Sequence, residues 1–276
     1  MNKPLTFLLS LTFLFLFSGS VYGDDFDGEE LLSLTQFLEQ DRRIDCLNGK
    51  QEGLNTTWYK TGEKKSEFYC KNGIKEGLQI FWLKNGEEES KIHYKNGKKE
   101  GLETIKALGF GSEGYTETHY KNGIKEGLET VWDDYPRKTR EILYKNGKKE
   151  GLETFWQYGQ KTSEIRYKNG KKEGPWTFWY LGFSSPSGRK KRIVHYKNGV
   201  LEGTSKEWYK SGKKQRIYHY KKGVLDGMAA EWYESGIKKS IRHYKEGLEH
   251  GFRKEWNEDG KLTFQGNFVD GNEEIK

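Results

Sequence analysis

The sequence Tyr144-Lys-Asn-Gly-Lys-Lys-Glu-Gly-Leu-Glu-Thr-Phe-Trp156 recurs, barely altered, from the forties to the end of the chain. Its turn glycine falls at 49, 73, 97, 123, 147, 170, 199, 223, 247 and 271. Six of the nine steps are 24 residues, and the others are 23, 26 and 29. A fixed period of this length means repeated supersecondary units, each burying its faces against its neighbours. Within one period, Asn146-Gly147 tolerates the positive φ angles that a type I′ hairpin turn demands. A strand then runs from Leu152 to Trp156, a second turn lies at Tyr158-Gly159-Gln160, and Thr162 to Tyr167 returns. Each period therefore predicts two antiparallel strands and two turns, and the glycine spacing excludes helix.

Strand parity assigns the faces. Counting Tyr144 as position zero, position +12 is tryptophan in eight of nine repeats: Trp58, Trp82, Trp132, Trp156, Trp179, Trp208, Trp232 and Trp256. Leucine at +8 (Leu54, Leu78, Leu102, Leu128, Leu152) shares that parity. One tryptophan per repeat reads as the structural core rather than as a ligand-stacking surface. The glycine at +7 is expected to let a neighbouring ring lie over the backbone. Position +11 is apolar in repeats two to six (Phe81, Ile105, Val131, Phe155, Phe178) and then becomes Glu207, Glu231 and Glu255. The middle of the array thus gains a partly apolar outer face, which is the candidate protein-contact surface.

Composition fits a thin, aromatic-cored all-β chain. Aromatic residues make up 15% and charged residues 32%, against 33% hydrophobic in all. Disordered chains of similar charge are poor in aromatics. Residues 1–23 carry Lys3, an apolar run from Leu5 to Phe17 and small residues before Gly23. That run is too short for a bilayer-spanning helix of roughly 17–25 residues. It reads as a cleavable secretory signal, so the chain is expected to be exported to a periplasmic, cell-surface or secreted location. Residues 24–45 are acidic, with Leu31, Leu34 and Leu38 on one helical face. They predict a short helical cap on the array of residues 46–276, which comprises about nine repeats and a partial one. The net charge of +7 divides into +1 on 1–23, −6 on 24–45 and +12 from Cys46 onward.

Cys46 and Cys70 both occupy position zero, where later repeats carry tyrosine. Export permits a disulfide, and the paired replacement favours one. Equivalent positions in neighbouring hairpins, however, lie roughly 9–10 Å apart, beyond the ~7 Å that a disulfide spans. Local twist at the first repeat would have to close that gap.

Histidines at 93, 119, 195, 219 and 243 precede position zero. Spaced at roughly 10 Å, they cannot share one metal ion and read as a polar stripe. Lysines crowd both rows of turns and would suit anionic lipid or acidic polysaccharide, although protection of sheet edges also explains them. Two insertions break the period. Gly109 to Gly114 matches G-x-G-x-x-G but lacks the strand-to-helix setting that gives the pattern meaning, and reads as an elongated hairpin turn. Gly182 to Arg192 adds Arg189, Lys190, Lys191 and Arg192 in the longest and most basic loop, a candidate partner contact. Asn55-Thr-Thr57 fits a glycosylation sequon. No metalloprotease, phosphate-loop, C-x-x-C or nucleophile-elbow motif is present, and the acidic residues and histidines recur as columns rather than as a unique cluster. The chain is therefore read as non-enzymatic, with no cofactor or small-molecule substrate. A nucleic-acid partner is not indicated.

The unit Tyr-Lys-Asn-Gly-Lys-Lys-Glu-Gly-Pro-Trp-Thr-Phe-Trp-Tyr, residues 167 to 180, closely resembles the MORN-repeat variant of exported and surface-associated bacterial proteins. The resemblance covers residues 46 to about 270. It implies an elongated, twisted antiparallel sheet of consecutive hairpins. It also implies a protein-binding scaffold or an antitoxin-like neutraliser of a protein target. Departures are the two cysteines, Lys106 in place of tryptophan, and Thr204 and Met228 in place of leucine.

Overall fold

A computed structural model describes residue 46 and residues 52–109, 112–182 and 188–274. The expected signal segment and acidic helix lie outside the described residues. Among these residues there are 22 strands and no helix, all in one antiparallel sheet. The sheet is a meander: Gly53–Trp58 pairs with Lys64–Lys71, which pairs with Ile74–Trp82, and the pattern continues to Leu262–Val269. In the last three full repeats the forward strand is interrupted just before its +7 glycine, as between Val200–Leu201 and Gly203–Trp208.

The first row of turns has the expected chemistry. Asn72, Asn96, Asn122, Asn146, Asn169 and Asn198 sit at φ between 50° and 53°, each followed by a glycine with φ of 73° to 86°. Two consecutive residues in this region define the type I′ hairpin. Lys222, Glu246 and Asp270 hold the same conformation without asparagine. The G-x-G-x-x-G stretch is indeed a hairpin end, since Lys98–Gly109 and Ser112–Lys121 pair out to Gly109 opposite Ser112.

Successive turns are clamped to one another. The Gly170 N–H donates to the Lys149 carbonyl at 2.9 Å, and the Asn169 N–H donates to the Glu150 carboxylate at 2.8 Å. The same pair of bonds joins Gly97 and Asn96 to Lys75 and Glu76, and Gly199 and Asn198 to Lys172 and Glu173. The glutamate of Lys-Lys-Glu-Gly thus caps a backbone donor of the next repeat as well as offsetting lysine charge.

The +7 glycine has a different role from the one parity suggested. Gly151, Leu152 and Glu153 lie opposite the single residue Ile142, so the strand bulges there. Gly151 has φ +79°, and a Cβ on it would meet nothing within 4 Å. The backbone conformation, and not a ring packed over it, is what calls for glycine. Gly151→Ala is expected to cost about 1–2 kcal/mol, the strain of a left-handed alanine. Gly127→Ala should cost more, because its Cβ would also press on the His119 Cβ at 3.2 Å. Urea denaturation of the two variants checks both the size and the order.

Candidate binding faces

Residues directly opposite in an antiparallel ladder share a face, so the register sorts the side chains. One face carries Glu129, Val131, Arg140, Ile142 and Tyr144, the other Leu128, Thr130, Trp132 and Leu143. The first face is the more enclosed. Phe68, Cys70, Gln79, Ile142, Glu153 and Ile165 are all fully buried on it. This corrects the parity reading. The tryptophan column lies on the opposite face and is half-buried, and Trp58, at the end of the array, is 60% exposed. The leucines that share its parity are exposed, from Leu128 at 38% to Leu54 at 64%.

The enclosed positions belong to the return strand (Ile92, Ile142, Ile165, Val194) and to position +9, which holds Gln79, Glu103, Glu129 and Glu153. Glutamate tolerates this because it is paired. Lys149 Nζ lies 2.9 Å from the Glu153 carboxylate, Lys125 2.5 Å from that of Glu129, and Lys99 2.8 Å from that of Glu103. Arg140 bridges two repeats, with Nη2 at 2.9 Å from Glu129 and Nε at 2.8 Å from Glu153. Each of these lysines also lies over the tyrosine of the following repeat: Lys99 over Tyr120, Lys125 over Tyr144 and Lys149 over Tyr167, all within 5 Å of the ring centre.

Enclosure shifts the titration of this cluster. Burial, and then the Glu129 charge, push the Tyr144 phenol up to about 12. Burial pulls the Lys149 ammonium down despite Glu153, whereas Glu129 and Glu153 outweigh burial and raise the Arg140 guanidinium. Burial and a hydrogen bond to Glu231 raise Tyr218. A phenol held neutral stabilises the fold fully below the ordinary tyrosine value of about 10. That contribution is lost as pH rises towards about 12. Tyr144→Phe is therefore expected to flatten the alkaline fall in stability between these values, as read by denaturation at stepped pH.

The predicted contact residues are found on the enclosed face. Phe81 is buried, and Ile105, Val131, Phe155 and Phe178 are half-buried in one row with Ser90, Thr116, Arg140 and Ser163 between them. They are not the outer patch. The basic loop splits: Arg189, Lys190 and Lys191 are exposed, while Arg192 turns onto the enclosed face, 4.9 Å from the Phe178 ring centre. From repeat seven the row becomes charged, with Arg216 between Glu207 and Glu231, and Arg242 and Arg253 on Glu255.

The exposed apolar surface is instead the +8 column and its cross-strand partners. Leu54 faces Tyr69, Leu78 faces His93, Leu102 faces His119 and Leu128 faces Leu143. The histidines belong to this stripe, and Nδ1 of His119 lies 2.9 Å from the Leu128 carbonyl of the next strand. On the turn edge, Lys95 faces Lys98, Lys145 faces Lys148 and Lys168 faces Lys171. All six are exposed like charges set directly opposite, an arrangement that costs stability.

Cys46 and Cys70 form a disulfide with Cα atoms 5.9 Å apart. The expected two-strand gap does not apply, because Cys46 lies outside any strand and is not held in the ladder.

Residues 201–222 match the family model described as MORN repeat variant. The match spans most of one period, from Leu201 through the strands Gly203–Trp208 and Lys214–Lys221. No curated protein matches the chain. A sheet built from repeats of this kind fits a repeat scaffold or binding module.

Proposed function

We propose that the chain is an exported, non-enzymatic scaffold that binds another protein through the exposed leucine stripe of repeats one to five. The observation that carries this reading is the stripe itself: Leu54, Leu78, Leu102, Leu128 and Leu152 are all exposed on one face of one sheet. Exposed leucines gathered on one face of the sheet in this way suit a protein contact. The exposed Arg189, Lys190 and Lys191 supply a charged contact at the far end of that region. Export rests on residues 1–23 of the sequence. The antitoxin-like role implied by the resemblance is one form of the same reading, with an exported protein as its target.

A second reading is carried by the facing lysine pairs. Like charges retained opposite one another suit an anionic surface, either membrane lipid or wall polymer. Cross-linking of the tagged chain in cells, followed by purification and mass spectrometry, separates the two. The scaffold reading expects one enriched protein, retained in high salt and lost in a Leu102→Asp, Leu128→Asp variant. Recovery of lipid or polymer alone, released by salt and lost in a Lys145→Glu, Lys148→Glu variant, would replace it with the second.

A further inference from the structure

The second row of turns carries an alternation of indole and ammonium. Lys64 Nζ lies 5.0 Å from the Trp82 ring centre, and Lys138 sits between Trp132 and Trp156 at 5.8 and 5.6 Å. Lys161 lies 5.4 Å from Trp179, and Lys238 5.7 Å from Trp256. Repeat three breaks this row at both partners. Lys106 stands where the indole belongs, and Glu88 stands where the lysine belongs.

The charges rearrange to suit. Lys106 pairs with Glu87, and Lys91 lies 3.5 Å from Glu88. The volume does not. An open cavity of about 260 Å³ remains, lined among others by Glu88, Lys91, Thr104, Lys106, Tyr115 and Asp134. It is below the roughly 300–1,000 Å³ typical of sites for drug-sized ligands and suits a single large side chain.

Two of its walls are fixed. Tyr115 stacks on Trp132 with ring centres 5.7 Å apart and planes within 17°. Gly114 brings the backbone so close that a Cβ there would lie 2.1 Å from the Trp132 carbonyl oxygen. The rim carries Asp134, an exposed carboxylate. In the neighbouring repeat a carboxylate already takes an indole N–H: Trp132 Nε1 donates to Glu117 at 3.1 Å.

We propose that this cavity receives an aromatic side chain of tryptophan size from a partner protein. The incoming ring takes the place that Trp82 and Trp132 hold in their own repeats. It stacks in line with Tyr115 and Trp132, lies against the Lys106 stem, and donates its N–H to Asp134. Buried aromatic anchors of this kind dominate protein interfaces. The inference rests on the protein-binding reading and adds the chemistry of one contact.

The test uses the full chain, labelled with ¹⁵N, and N-acetyl-tryptophanamide as the probe. Saturable shifts are expected at the Trp132 indole and at the Lys106 and Tyr115 amides. Lys106→Trp fills the slot as the sibling repeats do and should abolish those shifts while the rest of the spectrum is kept. Asp134→Asn should weaken the probe without removing it. N-acetyl-leucinamide and N-acetyl-argininamide should leave these resonances in place. Shifts that persist in Lys106→Trp, or that never appear, overturn the proposal. Equal shifts with the arginine probe overturn it in favour of a cation site. A failed partner capture with the probe still bound counts against the scaffold reading alone.

Discussion

Arg140→Met is expected to destabilise the sheet by about 3 kcal/mol, the low end of the range for breaking a buried ion pair. The loss comes from Glu129 and Glu153, which share this guanidinium across two repeats and whose side chains are only 6% and 2% exposed. Without it each carboxylate keeps one ion-pair partner, Lys125 or Lys149, and that remaining pairing holds the cost at the low end. A penalty of well under 1 kcal/mol for Arg140→Met would place the cluster with ordinary surface pairs and sink the account of an enclosed charged core. Chemical denaturation of Arg140→Met reads the difference.

Cys46→Ala with Cys70→Ala is expected to cost a similar amount, about 3 kcal/mol, from the loop entropy a 24-residue crosslink removes from the unfolded chain. Where the loss appears matters as much as its size. Repeats contact only their neighbours, so stability in such an array is a sum of local terms. Amide exchange should therefore accelerate in Gly53–Trp58 and Lys64–Lys71 while Gly251–Trp256 keeps its protection. Uniform acceleration along the chain would show instead that the array unfolds as one block.

The hairpin meander was legible because its determinants are local. Asn146-Gly147 specifies a turn wherever it sits, and a fixed period transfers the assignment to every repeat. The enclosed face was not legible, because parity counts apolar side chains and the enclosed positions include glutamate. Glu153 is one of these, and its neutralising partner Arg140 comes from the preceding repeat. A trace was available in the sequence: Lys99 and Glu103, Lys125 and Glu129, and Lys149 and Glu153 recur four residues apart, on one face of a strand. Trp176, the single tryptophan outside its column, occupies the same +9 position on that face, stacked on Phe178 with ring centres 4.8 Å apart. The disulfide was left open for a related reason. Ladder spacing governs residues held in a ladder, and Cys46 is not among them.

The turn-to-turn clamp bears on how such a chain changes over generations. Each repeat offers one carbonyl and one carboxylate forward and presents two N–H groups backward, so its ends are interchangeable. Excising one whole period, such as residues 124–147, would bring a matching donor and acceptor face to face and leave the seam chemically indistinguishable from its siblings. For the turn row alone, gain or loss of a unit is then a nearly silent event. The limits lie in what single units carry besides the turn: the missing indole of repeat three, the basic loop of repeat six and the exposed leucines of repeats one to five. Loss of residues 124–147, for example, would keep the turn row and still remove Leu128, Trp132 and Asp134.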